Sequence, residues 1–246
     1  VSGPARRLWA LAAALAGTLW ALSGRLEIAR DYVRTRVMKR EKTVAQRLEQ
    51  YGEPVRARLA PDFARAGAAY PPASLELVVF KRERVLELYA AGPDRKLKYV
   101  RRYGVTAASG GPGPKLREGD GQVPEGIYPI ESLNPNSLFH LSLRVGYPND
   151  FDRARARADG RERLGGDIMI HGNEVSIGCV AIGDEGAEDL FVLAATTGVS
   201  RVRAVIAPSD LRVERAPSGR GIPAWAPELY KKIKAELASL PPSRGS

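Results

Sequence analysis

Residues 166–179 read Gly166-Asp167-Ile168-Met169-Ile170-His171-Gly172-Asn173-Glu174-Val175-Ser176-Ile177-Gly178-Cys179. A strand predicted over 167–170 delivers His171 at its end, and Gly172-Asn173 is turn chemistry. Residues 175–177 read as a second short strand that runs back and delivers Cys179. A hairpin return of this length brings imidazole and thiol side by side. The imidazole can then take the proton of a thiol whose ordinary pKa is about 8.5, giving the thiolate nucleophile. Gly178 admits close approach of a reacting carbonyl, and the amides of Gly178 and Cys179 suit an oxyanion. Ser176 is placed to orient the imidazole or fix the turn, and Gly172 shapes the same turn. Asp184 and the helix after it lend partial positive charge near the thiolate. Against this stands a plainer reading: a lone cysteine in a core is usually a small apolar residue, and His beside Gly is common in turns.

Moving outward, residues 75–80 and 85–89 predict a hairpin around 81–84, and 98–105 a third strand. Gly110-Gly111-Pro112-Gly113-Pro114 must be a loop. Further strands are predicted over 137–145 and 202–207. A helix over 187–197 closes at Gly198, and a last helix over 227–240 begins with proline in its first turn. The fold class is therefore mainly β with flanking helices.

Toward the N-terminus the texture changes. Arg6 and Arg7 lead an apolar run from Leu8 to Leu22, the grammar of an export signal. The run is shorter than the roughly 20 residues of a comfortable membrane span. A cleaved signal and a retained membrane anchor both fit residues 1–24. Residues 24–51 predict an amphipathic helix capped by Ser23 and ended by Gly52-Glu53-Pro54. Its stripe is Leu26, Val33, Val37, Val44, Leu48 and Tyr51. That helix is either a stalk near anionic lipid or a solvated helix packed on the domain.

The chain of 246 residues is 44% hydrophobic and 27% charged, an ordinary globular balance. One cysteine excludes an intramolecular disulfide and any multi-cysteine zinc site. The net charge of +10 first suggests a polyanionic partner. Residues 1–60 hold 12 of the basic residues and only 5 acidic ones, so most of that excess lies in the leader and its helix. Nucleic-acid binding is not supported, since zinc spacing, a recognition helix and an RNA-binding aromatic motif are all missing.

The site segment resembles the catalytic motif of the L,D-transpeptidase (YkuD) family, His-Gly followed by Ser-x-Gly-Cys. Gly113-Pro114-Lys115, Glu118-Gly119-Asp120 and Pro124-Glu125-Gly126-Ile127-Tyr128 resemble that family's upstream stretch. Leu141-Ser142-Leu143, Tyr147-Pro148-Asn149 and Phe151-Asp152 are similar to its YafK-type branch. The resemblance covers roughly 75–207. Two positions depart from the family: Ile177 stands where it usually has His, and Ala181 where it usually has Arg.

The resemblance implies an L,D-transpeptidase-like β-sandwich or barrel over 75–212. Before it come the leader and a basic helical segment over 25–74; after it comes a C-terminal tail with a helix over 213–246. It also implies acyl transfer on peptidoglycan stem peptides, with Cys179 as nucleophile and His171 as base. An acceptor amine would give a crosslink. Water would give hydrolysis, including release of a wall-linked lipoprotein. No metal or organic cofactor is implied, and the location is the periplasm or cell envelope.

Lys115, His140 and Asn173 are further candidates for substrate contact. For each the plainer reading is also open: a loop lysine, a hydrogen-bonded structural histidine and a turn residue. A non-catalytic peptidoglycan-binding module on the same fold is the alternative function.

Overall fold

The computed structural model describes residues 41–243. Its first element is α1 (Val44–Ala66), capped by Thr43, whose side chain accepts the Gln46 N–H. Four strands follow: β1 (Ser74–Phe80), β2 (Val85–Ala91), β3 (Leu97–Gly104) and β4 (Ala107–Ala108). After a long loop come β5 (Gly126–Ser137), β6 (His140–Val145) and α2 (Asp150–Ala158). Then come β7 (Met169–His171), β8 (Val180–Ala181), α3 (Gly183–Thr197), β9 (Val202–Ala207) and α4 (Ala226–Ser239).

The strands form one curled sheet in the order β3-β2-β1-β9-β5-β6-β7-β8-β4. β1 carries apolar residues on both faces because both are covered. Leu75, Leu77 and Val79 join the core under α1 and α3. Val78 and Phe80 join a second core under α4, which supplies Leu229, Tyr230, Ile233 and Leu237. This alternation follows from the two-residue period of a strand. The mainly-β architecture with flanking helices is as expected, as is the β1–β2 hairpin, with Phe80 opposite Val85.

Three expectations are corrected. The helix expected over 24–51 does not end at Gly52-Glu53-Pro54. Within the described residues it starts at Val44 and runs through Pro54 and Pro61. Each proline deletes one backbone N–H and costs a helix about 3 kcal/mol. The apolar stripe continues through them, and the burial of Val55, Leu59 and Phe63 against the sheet offsets that cost. Leu26, Val33 and Val37, like the leader over 1–24, lie outside the described residues.

The strand expected over 137–145 is two strands, β5 and β6, with a turn at Leu138-Phe139. β5 went unseen because Pro129 and Pro135 mask it. Pro129 stands where β5 leaves β9 for β6, and Pro135 stands in a register irregularity of the β5–β6 pair. The strand expected over 175–177 is instead loop, with Val175 and Ile177 exposed. β7 lies between β6, which runs antiparallel to it, and β8, which runs parallel.

One buried ion pair fixes the loop between β4 and β5. Lys81 Nζ donates to the carbonyls of Gly113 and Val123 and to Glu125 Oε1, at 3.0–3.1 Å. Glu125 Oε1 also accepts the Gly113 N–H, and Oε2 accepts the Tyr230 hydroxyl from α4. Both charged side chains are buried. Removing one partner of such a pair strands the other charge, at a cost of about 3–5 kcal/mol. Glu125→Ala is expected to lose stability of that size in urea unfolding. A change under 1 kcal/mol would contradict the tie.

Candidate active site

β7 is three residues long and delivers His171 at its C-terminal end. β8 lies beside it with Ile170 opposite Val180 and His171 opposite Ala181. Cys179, one residue before β8, therefore falls level with Met169. Side-chain parity puts it on the His171 face, two residues away along the neighbouring strand. The two residues lie on neighbouring strands by parallel pairing across a crossing loop rather than by a hairpin, and no hydrogen bond joins Cys179 Sγ to His171 Nε2.

The loop 172–179 is held at many points. Asp184 Oδ1 accepts the Asn173 N–H at 2.7 Å, and the Asn173 carbonyl accepts the Thr106 hydroxyl. Ser176 Oγ accepts the Cys179 N–H at 3.0 Å and donates to the Cys179 carbonyl. Ser176 therefore fixes the turn around the thiol, the second of its two expected roles. Gly178 has φ 84°, a left-handed conformation that favours glycine, and its N–H donates to Ser109 Oγ at 2.6 Å. Both amides expected to serve an oxyanion are thus engaged by hydroxyls in this state. A Cβ on Gly172 would lie 2.5 Å from Asp184 Oδ1 and 3.0 Å from the Phe139 carbonyl oxygen, so only glycine fits there.

The Cys179 thiol donates to the Asp167 carbonyl at 3.6 Å and accepts the Met169 N–H at 3.4 Å. The imidazole is oriented from its other side. His171 Nδ1 lies 2.6 Å from the Gly172 carbonyl oxygen, which can only accept, so Nδ1 carries the proton. Nε2 is then the basic nitrogen; it is buried without a hydrogen-bond partner among the described residues. The Phe139 ring stacks on the imidazole at 4.7 Å between centroids. Ser109, Phe139 and Asp167 are site residues that sequence reasoning missed. All three sit in loops or turns, where no periodic signal marks them.

The other candidates lie as follows. The Lys115 ammonium is buried in an ion pair with Asp120 and donates to the Arg117 carbonyl. His140 Nε2 is 3.0 Å from Glu188 Oε1, and its ring packs edge-on against Tyr51 of α1. Asn173 spends its backbone groups on Asp184 and Thr106, and its side chain accepts the Glu174 N–H. Among the described residues, no three His, Cys, Asp or Glu side chains converge as a metal site would need.

Burial disfavours charge on both members of the pair. It pushes the Cys179 thiol above its ordinary range; the Met169 N–H and Lys115 partly oppose this, while the Asp167 carboxylate adds to it. Burial also pulls the His171 imidazole below its ordinary value, with the Gly172 carbonyl partly opposing. Both shifts favour the neutral thiol and the neutral imidazole.

Comparison with known proteins gives the family. A family model described as the YkuD L,D-transpeptidase catalytic domain matches residues 75–205. The chain is 39% identical over 115 residues to "Putative L,D-transpeptidase YafK" of Escherichia coli strain K12. That segment is 46% of this chain and 44% of the relative, so the match spans less than half of either. Among solved structures, the helical cell shape determining protein Pgp2 of Campylobacter jejuni is 21% identical, with TM-score 0.45. The match covers 59% of this chain and 50% of that one. Bd1075 of Bdellovibrio bacteriovorus is 19% identical, with TM-score 0.40, over 68% of this chain and 59% of that one.

The neutral pair sets a pH profile. Alkylation follows the thiolate, so with a raised thiol pKa the rate of iodoacetamide labelling at Cys179 is expected to keep rising past about pH 8.5, the ordinary thiol value. A plateau reached below neutral pH would show a preformed thiolate instead.

Proposed function

The chain belongs to the L,D-transpeptidase catalytic domain family, and from this we propose that it is an exported cysteine acyltransferase acting on peptidoglycan stem peptides. The observation that carries the reading is the one-face placement of Cys179 and His171 across β7–β8, with the imidazole held as its Nδ1–H tautomer.

His171 Nε2 takes the thiol proton as Sγ attacks the carbonyl at the L-centre of the third stem residue. The tetrahedral intermediate collapses to a thioester, and the imidazolium returns its proton to the leaving amine of the following residue. Water or an acceptor amine then resolves the thioester, giving hydrolysis or a crosslink. Since burial favours the neutral forms of both groups, the proton moves with the attack. The oxyanion would take the Cys179 and Gly178 amides in place of the Ser176 and Ser109 hydroxyls they now meet. Export rests on the basic and apolar leader over 1–24, and the substrate places the enzyme in the periplasm or cell envelope.

The occupied amides are the one feature favouring a non-catalytic wall-binding module. Covalent labelling separates the two readings. A carbapenem is expected to add its mass to Cys179 in the wild type and not in Cys179→Ala. His171→Gln is expected to slow the labelling by about 100-fold or more, the usual worth of a general base. No adduct under conditions that label another family member would leave the binding module standing.

A further inference from the structure

The face of the sheet that carries the thiol also carries charges that the proton transfers do not use. Three residues form one row across it. Arg144 of β6 stands opposite Met169 of β7, and Cys179 falls level with Met169 on the far side. Opposed residues share a face, so the Arg144 side chain and the thiol lie on one face, two strand spacings or about 10 Å apart at the backbone. The next row, Ser142, His171 and Ala181, is buried, whereas Arg144, Met169 and Cys179 are all part-exposed. A substrate lying along this open row reaches the thiol at one end and the guanidinium at the other. Asp167 joins the two ends. Its φ of 55° is a left-handed conformation that few non-glycine residues adopt. Held so, its carbonyl accepts from the Cys179 thiol while its Oδ1 meets Arg144 Nη1 at 2.7 Å. The Arg144 side chain is 41% exposed and that of Asp167 78%, so the pair faces solvent beside the nucleophile. Exposed pairs of this kind add little to stability.

We infer that Arg144 and Asp167 determine specificity by binding a free amino-acid head group, an ammonium and a carboxylate on one carbon, that lies within a lysine-length side chain of the attacked carbonyl. The charges decide the class. A lone carboxylate would meet Asp167, and Glu131 at 3.3 Å from Arg144 Nε, as well as the guanidinium. A lone ammonium would meet the guanidinium. A head group bearing both charges matches a guanidinium and a carboxylate held side by side. The guanidinium carries five N–H donors in a fixed fork, so it takes the substrate carboxylate while Nε stays on Glu131. Asp167, acceptor-only when ionised, takes the ammonium. Lys115, the other cation near the thiol, is buried in its pair with Asp120 and is not free to serve. That the head group belongs to a stem peptide rests on the peptidoglycan reading above.

The test measures binding of synthetic stem tetrapeptides by calorimetry, using the full chain with Cys179→Ala so that no turnover intervenes. In one peptide the third residue's side chain ends in the free head group. In a second the carboxylate of that head group is an amide, and in a third its amine is acetylated. Each modification is expected to weaken binding about tenfold or more, the worth of one hydrogen bond to a charged group. Adding Arg144→Gln is expected to erase the preference for the free carboxylate and keep that for the free amine. Adding Asp167→Asn is expected to do the reverse. A preference that survives in its own variant overturns the inference, and either variant decides if the other does not fold. Equal binding of all three peptides overturns the head-group assignment alone. Binding of none of them overturns the peptidoglycan reading together with it.

Discussion

The register between two very short strands is the constraint on which the site depends. β7 has three residues and β8 two, and only the pairs Ile170–Val180 and His171–Ala181 join them. A slip of one residue would carry Cys179 to the opposite face and break the pair of reacting groups. So little ladder cannot hold register alone. It is held by neighbours: β7 pairs with β6, β8 pairs with β4, and the His171 carbonyl accepts the Ile182 N–H. Side chains do the rest, with Asp184 holding Asn173, Ser109 holding Gly178 and Ser176 holding Cys179.

The same economy appears in the long loop between β4 and β5. It has almost no regular structure, yet it carries Ser109, which meets Gly178, and Lys115, whose charge reaches the thiol. A loop of this composition would wander if left to local propensity. The buried Lys81–Glu125 pair ties it to the end of β1, and the Tyr230 hydroxyl ties the same carboxylate to α4. The C-terminal helix thus supports the loop that faces the nucleophile, although it contributes no reacting group. α1 supports the other flank, where Arg58 meets Asp189 and Glu188, and Glu188 meets His140.

Much of this was legible in the sequence, and the exceptions have physical causes. His171 and Cys179 stood out because an apolar run ends at His-Gly and a single thiol follows after a turn. Gly172-Asn173 is turn chemistry and points locally to a hairpin. The parallel arrangement depends on β8 docking between β7 and β4, a tertiary fact with no local signal. Runs rich in β-branched and other apolar residues in β1, β2 and β9, each broken by one charged residue, mark those strands. β5 was hidden by prolines whose missing N–H groups fall where the ladder changes partner. In α1 the prolines signal stops locally, but packing of Val55, Leu59 and Phe63 outweighs them. Ser109 and Phe139 carried no pattern at all, since a residue in a loop acquires its role only from what the fold brings against it.

The central claim is that the β7–β8 pair acts on wall peptides through Cys179. Incubation with purified sacculi, followed by mass spectrometry of the released and crosslinked peptides, tests it most directly. Stems cut after the third residue, or new links made through it, are expected, with both changes lost in Cys179→Ala. Stems left unchanged by the wild type, or changed equally by Cys179→Ala, would contradict it.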